Sequence, residues 1–512
     1  MAAVTPATDP AAHPPTDRYR IEPTVRQALT NPRLLTREVL AGLVVAIALI
    51  PEAIAFSIIA GVDPRLGLFS SFVMAVAIAF LGGRPAMITA ATGAIALVIA
   101  PVAREYGMDY FIATVLLAGL FQIVLALLGA PRLMRFIPRS VMVGFVNALA
   151  ILIFISQLPH LLGVPWLVYP LVAVGLVIMY LMPRLTKVVP PPLVAIVLLT
   201  GAAVVFGMTV PTVGDQGELP QSLPELFIPN VPLTFETLAI IAPYAAGMAV
   251  VGLLESLMTA KLVDDITDTH SRKDREALGQ GAANILSGLF GGMGGCAMIG
   301  QTMINVKASG ARTRISTFLA GVFLLILVVV LTDVVAVIPM AALVAVMIMV
   351  SVATFDWHSI KPSTLRRMPR AETAVMVTTV VVTVWTHNLA IGVGAGVIAA
   401  AILFVRRVAH FVTVSRAVTT VDGIETARYV VDGELFFASS NDLTTMFEYS
   451  HDPDRVIVDM SASHVWDAST VAALDAITTK YERLGKQVEL VGMNTVTARL
   501  HGRLSGGMGT GH

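Results

Sequence analysis

The feature that most constrains the fold is a series of long apolar segments that recurs up to about residue 413. A helix needs about 20 mostly apolar residues to cross a lipid bilayer. Only 13% of the residues are charged, whereas soluble proteins typically have about 25%. The sequence therefore predicts a polytopic α-helical membrane protein. The spans predicted to cross fully are 38–61, 66–82, 109–130, 138–160, 166–183, 190–207, 237–262, 277–292, 315–332, 336–353, 372–387 and 390–413.

Two further apolar pieces, at 92–103 and 297–306, are too short to cross a membrane fully. Both belong to stretches in which paired glycines are followed by the letters AMI and then a short apolar run, with glycines and AMI from Gly82 to Ile88 and from Gly291 to Ile299. With them the count becomes fourteen segments, or two sets of seven in which the short piece is third. Glycine-interrupted segments at matching positions in two halves are typical of inverted-repeat transporters. We expect repeats at about 38–207 and 237–413.

Basic residues favour cytoplasmic loops, and their distribution fits the fourteen-segment count. If the N-terminus is inside, the loops assigned to the outside are nearly free of lysine and arginine, and the long one, TVPTVGDQGELPQSLPELF, is acidic. We therefore predict a multi-pass protein of the cell inner (plasma) membrane with a cytoplasmic C-terminus. The basic residues assigned to the inside are Arg26, Arg33, Arg37, Arg132, Arg135, Arg139, Arg184, Lys187, Arg272, Lys273, Arg275, Lys307, Arg312, Arg314, Lys361, Arg366, Arg367, Arg370, Arg406 and Arg407.

The two short helices predict an anion site built mainly from main chain. A helix that starts inside the membrane leaves its first N–H groups unpaired and carries partial positive charge at that end. Two such ends that face each other attract an anion without a basic side chain. The candidate residues are Thr92, Gly93, Ala94, Ala297, Met298, Ile299, Gly300 and Gln301.

Two acids interrupt the apolar segments, Glu255 in GLLESLMTAKLVDD and Glu52 in LIPEAIAFS. Intramembrane acids usually face the bundle interior or a water-filled cavity. A carboxylate near an anion site would repel the substrate unless a cation or a proton neutralised it. Glu255 and Thr259 are four residues apart and share a helix face, so we expect them to couple cation entry to anion entry. The alternative is an acid that only fixes packing, and the pattern leaves sodium and proton coupling open.

The composition changes after about residue 418. RYVVDGELFFASS, RVIVDMS and QVELVGM have the pattern of short strands, and residues 441–449 and 467–484 have helical periodicity. Strand–helix alternation predicts a small α/β domain. The Pro/Ala/Thr-rich residues 1–30 are predicted to be a disordered cytoplasmic tail and not a signal peptide, and residues 504–512 a flexible tail.

Several functions are excluded or disfavoured by the same sequence. The formal net charge of zero argues against a nucleic-acid partner. The single cysteine, Cys296, excludes an intramolecular disulfide framework and a multi-cysteine metal site. We find no phosphate-binding loop, HExxH motif or nucleophile elbow. An enzyme is not expected, and no cofactor is expected apart from Na⁺ as a coupling ion.

The motifs just quoted resemble those of the sulfate permease (SulP) family, which includes bicarbonate transporters of the BicA type. The resemblance covers AGLVVAIALIPEAIAFSIIAGVDPRLGLFSS, the GG…ATG entry to the third segment, LLESLMTAKL, and GG…INVKASGARTRIS. The tail resembles a STAS domain through RVIVDMSASHVWDASTVAAL. The resemblance implies a transporter domain at 31–415, with core and gate parts in a seven-plus-seven inverted repeat, and a STAS domain at 420–503. It also implies an elevator-like cycle and a homodimer.

The resemblance also implies roles for individual residues. Glu255 and Thr259 match the sodium ligands of BicA-like members. The acid here is Glu, as in many other family members, and not Asp, which leaves sodium and proton coupling open. Gln301 stands four residues before Asn305, where family members commonly have arginine. Glu52 follows the proline where many relatives have Gln, and Phe56 of the same stretch is expected to contact substrate. In DAST, Ser469 matches a serine that is phosphorylated in anti-sigma-factor antagonists; the alternative is a serine that caps the following helix.

Together these features predict a secondary active transporter of inorganic anions, cation-coupled, with bicarbonate or sulfate as substrate. Within the family, a dicarboxylate symporter or an anion exchanger is an alternative. A nucleobase–cation symporter is another, although the STAS tail and VKASGARTR argue against it. A membrane-anchored STAS signalling protein is the alternative from a different class. The expected partners are a small anion, the lipid bilayer and a second copy of the chain.

Overall fold

The computed structural model describes residues 23–133, 137–185, 191–409, 412–421 and 424–505. The predictions for residues 1–22, Arg135, Lys187 and residues 506–512 lie outside these ranges. The chain divides into two compact units, Met1–Val397 and Ile398–His512. We describe each unit by itself.

The first unit is built from helices, the last of which continues past Val397 into the second unit, and every apolar segment predicted from the sequence coincides with a helix. The short piece at 297–306 is a single α-helical turn that continues as a π-helical turn over Ile304–Ala308. The helices of this region are α1 (Val25–Thr30), α2 (Pro32–Ala60), α3 (Pro64–Leu81), α4 (Gly93–Tyr106), α5 (Met108–Leu127), α6 (Ala130–Leu133), α7 (Arg139–Gln157), α8 (Val168–Leu185), α9 (Pro191–Val205), α10 (Phe235–Thr267), α11 (Lys273–Leu289), α12 (Ile299–Met303), α13 (Arg314–Val330), α14 (Thr332–Ala336), α15 (Met340–Thr354), α16 (Pro362–Arg367), α17 (Arg370–Thr386) and α18 (Leu389–Ala409).

Within the described ranges, seven helical stretches are both long and apolar enough to cross a membrane, and three shorter helices are also apolar. Several predicted boundaries differ from the helix ends by four to six residues: the span expected from residue 38 begins at Pro32, and the one expected from 336 begins at Met340, because Pro339 is the N-cap of α15. The last helix is described to Ala409, and residue 413, the predicted end of this span, is the first residue of a strand. The seven stretches are Pro32–Ala60, Pro64–Leu81, Met108–Leu127, Arg139–Leu161, Val168–Leu185, Phe235–Thr267 and Leu389–Val408, and the shorter helices are α9, α13 and α15.

Small residues allow the helices of this unit to approach closely. Gly119 of α5 and Gly281 of α11 face each other's backbone: a Cβ at Gly119 would lie 2.6 Å from the Gly281 carbonyl oxygen, and a Cβ at Gly281 would lie 2.7 Å from that of Gly119. Gly67 of α3 similarly has no room for a Cβ against the Ser57 hydroxyl and the Ala53 carbonyl of α2. Small residues at helix interfaces are characteristic of membrane bundles, where dispersion drives association.

The glycine-rich segments before α4 and α12 form two short strands, β1 (Thr89–Ala90) and β2 (Cys296–Ala297). They pair antiparallel, with Thr89 opposite Ala297 and Ala90 opposite Cys296. The two half-helices therefore start side by side, as the inverted repeat predicts, although the pairing itself was not predicted.

The second unit contains an α/β domain, as predicted. Its strands β3 (Thr413–Val421), β4 (Ile424–Leu435), β5 (Arg455–Val465) and β6 (Gln487–Val491) form one sheet in that order, with β3–β4 antiparallel and the other pairs parallel. Its helices are α19 (Phe437–Leu443), α20 (Ala468–Arg483) and α21 (Thr495–Leu504). The sequence did not predict β3 or α21, and α19 begins four residues before the predicted 441. The domain has its own apolar core, centred on residues such as Tyr429, Val458, Leu474 and Tyr481.

Candidate functional site: the half-helix junction

The candidate site lies where α4 and α12 begin, and we call it the half-helix junction. We define it as Thr92–Ala94 and Cys296–Gln301 together with the side chains of Glu52, Phe56 and Glu255. β1–β2 pairing fixes its two main-chain halves, and the Met298 N–H extends the pairing by donating to the Ile88 carbonyl at 2.9 Å. The junction contains two carboxyl groups and no basic side chain.

The two helix starts differ in how their N–H groups are satisfied. Thr92 is the N-cap of α4, and its hydroxyl accepts a hydrogen bond from the Ile95 N–H at 3.4 Å. Met298 is the N-cap of α12 and provides no side-chain cap. The first N–H groups of a helix have no intrahelical partner, so the starts of both helices offer hydrogen-bond donors and partial positive charge to an anion.

Glu255 of α10 is tied directly to this junction. The Cys296 thiol donates to Glu255 Oε2 at 2.9 Å, and Cys296 Sγ also lies 3.1 Å from the Thr92 hydroxyl. One residue further along each segment, the Ala297 N–H donates to the Ser256 hydroxyl at 3.1 Å. Cys296 therefore links the carboxylate of Glu255 on one side to Thr92, the N-cap of α4, on the other.

Thr259 lies one helical turn after Glu255 on α10. Its hydroxyl donates to the backbone carbonyl of Glu255 at 2.8 Å, and both residues are buried. The carboxylate of Glu255 is therefore engaged by Cys296, while the Thr259 oxygen keeps its lone pairs available. The shared face places the two side chains on the same stretch of α10 without a direct hydrogen bond between them.

Glu52 of α2 contributes the second carboxyl group of the junction. Its carboxyl interacts with the side chain of Gln301, in the first turn of α12. Phe56, one turn further along α2, covers the start of α4: a Cβ at Gly93 would lie 2.9 Å from the Phe56 ring. Glycine at position 93 therefore permits an aromatic ring to lie against the first turn of the half-helix.

All predicted substrate and cation residues thus meet in one region. Ala94, Ile299 and Gly300 occupy the first turns of the two half-helices. Gly300 has no atom within 4 Å of the Cβ it would carry as alanine, so the start of α12 is open on that face.

A buried polar network supports the junction and was not anticipated from the sequence. Asn284 of α11 accepts from the Gly295 N–H at 2.8 Å and donates to the Gly295 carbonyl at 3.1 Å and to Gln122 Oε1 of α5 at 2.9 Å. Because Gly295 directly precedes β2, these bonds fix the entry to the second half-helix. A buried amide in an apolar helix was the available signal, since buried polar groups need partners.

The candidate phosphorylation site lies in the second unit. Ser469 is exposed in the first turn of α20. The alternative in which Ser469 caps this helix is wrong: the N-cap is Asp467, whose carboxylate accepts from the Thr470 N–H at 3.0 Å and from the Phe437 N–H at 2.6 Å. Ser469 therefore has no capping role in this structure.

Comparison with known proteins assigns both units to families. Residues 35–171 and 166–379 match the family model described as Sulfate permease family, and residues 416–505 match that of the STAS domain. The chain is 52% identical over 466 residues to the "Putative sulfate transporter YbaR" of Bacillus subtilis, covering 91% of this chain and 96% of that protein.

Two solved structures have the same fold. The transmembrane domain of a cyanobacterial bicarbonate transporter, BicA, aligns with a TM-score of 0.63 at 26% identity, over 72% of this chain and 98% of that one. The murine anion transporter Slc26a9, in an inward-facing state, aligns with a TM-score of 0.78 at 18% identity, over 95% of this chain and 89% of that one.

Proposed function

Since this chain belongs to the sulfate permease family of membrane transporters, we propose that it is a secondary active, cation-coupled transporter of a small inorganic anion. The observation that carries the proposal is the position of Glu255, which accepts a hydrogen bond at 2.9 Å from Cys296, a residue of the paired strands that lead into the two half-helices. The sequence of events we propose is cation entry at Glu255, anion binding at the half-helix junction, and alternating access of the loaded site.

The anion is bound by helix ends. The N–H groups at the starts of α4 and α12 point into the junction, and their partial charge favours an anion. The glycines at positions 93 and 300 allow close approach to the backbone. The side chain of Gln301 is neutral, so it adds no full positive charge of the kind that an arginine at this position would offer the anion.

The two carboxyls make a mobile cation necessary. Glu52 and Glu255 both lie at the junction, and an ionised carboxylate beside a bound anion raises the energy of the complex in a medium of low dielectric constant. A sodium ion would find oxygen ligands in the carboxylate of Glu255 and the hydroxyl of Thr259, the donor type that hard cations prefer. A proton on Glu255 would remove the same repulsion. In the described residues there is no cluster of three or more His, Cys, Asp or Glu side chains placed to hold a metal ion, so hydroxyl and carbonyl oxygens would complete a sodium site.

The substrate we propose is bicarbonate or sulfate. A monovalent anion fits a junction with no fixed positive side chain, which favours bicarbonate. The relatives include proteins described as sulfate transporters and as bicarbonate transporters, so both anions belong in the first assay. A dicarboxylate symporter or an anion exchanger of the same family is the nearest alternative.

We further propose an elevator-type cycle in a homodimer at the cell inner membrane, with the STAS domain in the cytoplasm. A nucleobase–cation symporter would need hydrogen-bonding side chains for a ring, and the paired helix ends favour a small anion instead. A membrane-anchored signalling protein would use the exposed Ser469 as a phosphate acceptor; the intact junction argues for transport as the main activity.

The test is gradient-driven uptake into liposomes that contain the purified protein. Labelled bicarbonate, sulfate, fumarate and uracil are offered under an inward sodium or proton gradient. We expect one inorganic anion to accumulate under one of the gradients, and Glu255→Gln to abolish accumulation while the protein still folds. Glu236→Gln, at an exposed position in the first turn of the same helix, is the matched control and should transport like the wild type. Uptake by Glu255→Gln at the wild-type rate would refute the coupling role.

A further inference from the structure

A cavity of about 440 Å³ lies near the ends of α2, α4, α7 and α17. By the distribution of basic residues, these ends face the outside. The wall of the cavity is mostly apolar, and its polar side chains are Arg104, Ser156, His160 and His387. Three of these four are basic residues, from three separate parts of the chain.

This cavity begins one helical turn from the half-helix junction. Gly93, at the start of α4, lies against Phe56 and Ile153, and the cavity is lined by the next turn of each helix, at Leu97, Ile59 and Ser156. Arg104 lies eleven residues after Gly93, which corresponds to about 16 Å along a helix. An anion that travelled from the outside along α4 would therefore pass the basic side chains before it reached the junction.

The local backbone would otherwise repel such an anion. α2 ends at Ala60, α4 at Tyr106, α7 at Gln157 and α17 at Thr386, and each helix C-terminus carries partial negative charge. The cavity lies beside all four ends, so fixed positive charge is needed before an anion can enter it.

Arg104 supplies that charge. Arg104 lies in the last turn of α4. Its guanidinium donates a hydrogen bond to the Ile59 carbonyl at the end of α2, at 3.2 Å. In the described part of the chain, the ion pairs of this unit involve other residues and leave Arg104 without a carboxylate partner. His160 and His387 add ring N–H donors at the cavity wall in either protonation state.

From this geometry we propose that the cavity is an external anion vestibule, which collects small inorganic anions in front of the half-helix junction. Arg104 sets its positive potential, and the two histidines donate hydrogen bonds to the anion. The inference rests on the proposed transport function for its physiological meaning, but the potential of the cavity can be measured without transport.

The first experiment measures that potential with charged thiol reagents. Ser156→Cys puts a thiol in the cavity wall, and intact cells are treated with an anionic or a cationic methanethiosulfonate of similar size. We expect the anionic reagent to react faster, and Arg104→Gln to lower the anionic-to-cationic rate ratio about fivefold, the effect of one charge at roughly 8 Å in a water-like medium. The wild type is the blank, because its single cysteine, Cys296, is buried.

The matched control is Arg65→Gln in the Ser156→Cys background. Arg65 is predicted to lie on the same outer face, but its guanidinium is already paired with Glu218 at 2.5 Å and with Asp63 at 3.9 Å, so the ratio should stay within twofold. The vestibule proposal would be refuted if the cationic reagent reacted faster than the anionic one, or if both arginine changes altered the rate ratio equally. It would also be refuted if neither reagent labelled the Ser156→Cys protein from outside.

The second experiment is uptake by proteoliposomes or cells, with labelled sulfate and bicarbonate on the outer side. In Arg104→Gln we expect the apparent KM for the transported anion to rise about threefold to fivefold while kcat stays within twofold, because the residue lies away from the junction. An unchanged KM would refute the vestibule. If the wild type moves neither anion, the transport proposal fails, and the thiol rate ratio still decides whether the cavity attracts anions.

Discussion

At the scale of single residues, the half-helix junction depends on one glycine. A Cβ at Gly295 would overlap the carbonyl group of Ala90, so alanine there would force β1 and β2 apart. We expect Gly295→Ala to destabilise the protein by more than about 2 kcal/mol, at the upper end of overpacking costs because the obstructing atoms are backbone. The measurement is the unfolding temperature of purified protein in detergent, together with anion uptake.

Gly300→Ala is the control for this prediction. Gly300 lies five residues further along the same segment, and a Cβ there would meet no atom within 4 Å. The change should leave the unfolding temperature close to that of the wild type. Equal melting of the two variants would show that the close backbone approach at Gly295 does not limit stability.

At the scale of secondary-structure elements, a buried acid holds the start of α13. Glu38 of α2 is fully buried, and its carboxylate accepts hydrogen bonds from the N–H groups of Arg312 at 2.8 Å, Thr313 at 3.2 Å and Ser316 at 3.3 Å. A negative charge at a helix N-terminus is stabilising. We expect Glu38→Gln, which keeps the size but loses the charge, to cost about 2 kcal/mol, measured as a lower unfolding temperature in detergent.

The same substitution at Glu372 provides the comparison. Glu372 also lies in the first turn of a helix, α17, but it is exposed, so Glu372→Gln should change stability by only a few tenths of a kcal/mol. If the Glu38→Gln and Glu372→Gln proteins unfolded at the same temperature, the hydrogen bonds to the Glu38 carboxylate would be replaceable without loss of stability.

At the scale of the whole molecule, the sequence predicted what depends on local pattern. Apolar length placed the helices to within a few residues, and the paired glycines before Thr92 and Ile299 marked both half-helices. Contacts between segments that are distant in the chain could not be predicted from the sequence. The hydrogen bond from Cys296 to Glu255 joins residues 41 apart, and no periodicity encodes which strand register brings them together. The strand β3 was missed because its residues alternate weakly and follow directly on an apolar helix.

The whole molecule also consists of two compact units, and the second has its own core and a titratable ion pair. Hydrogen bonds from Arg428 and Ser461 lower the pKa of Asp459 to about 2, below the usual value of about 3.9. A carboxyl whose folded-state pKa is depressed adds stability above its unfolded pKa and loses that stability as the pH falls toward the folded value.

We expect a fragment of residues 412–505 to fold alone, and Asp459→Asn to be less stable than wild type at pH 7, with the difference shrinking between about pH 4 and pH 2. Because Arg428 is half-exposed, solvent screening should keep this difference modest. Urea denaturation followed by circular dichroism measures it, with Glu489→Gln, an exposed acid on the neighbouring strand β6, as the control. A difference that stayed constant over this pH range would assign the loss at Asp459→Asn to packing rather than to charge.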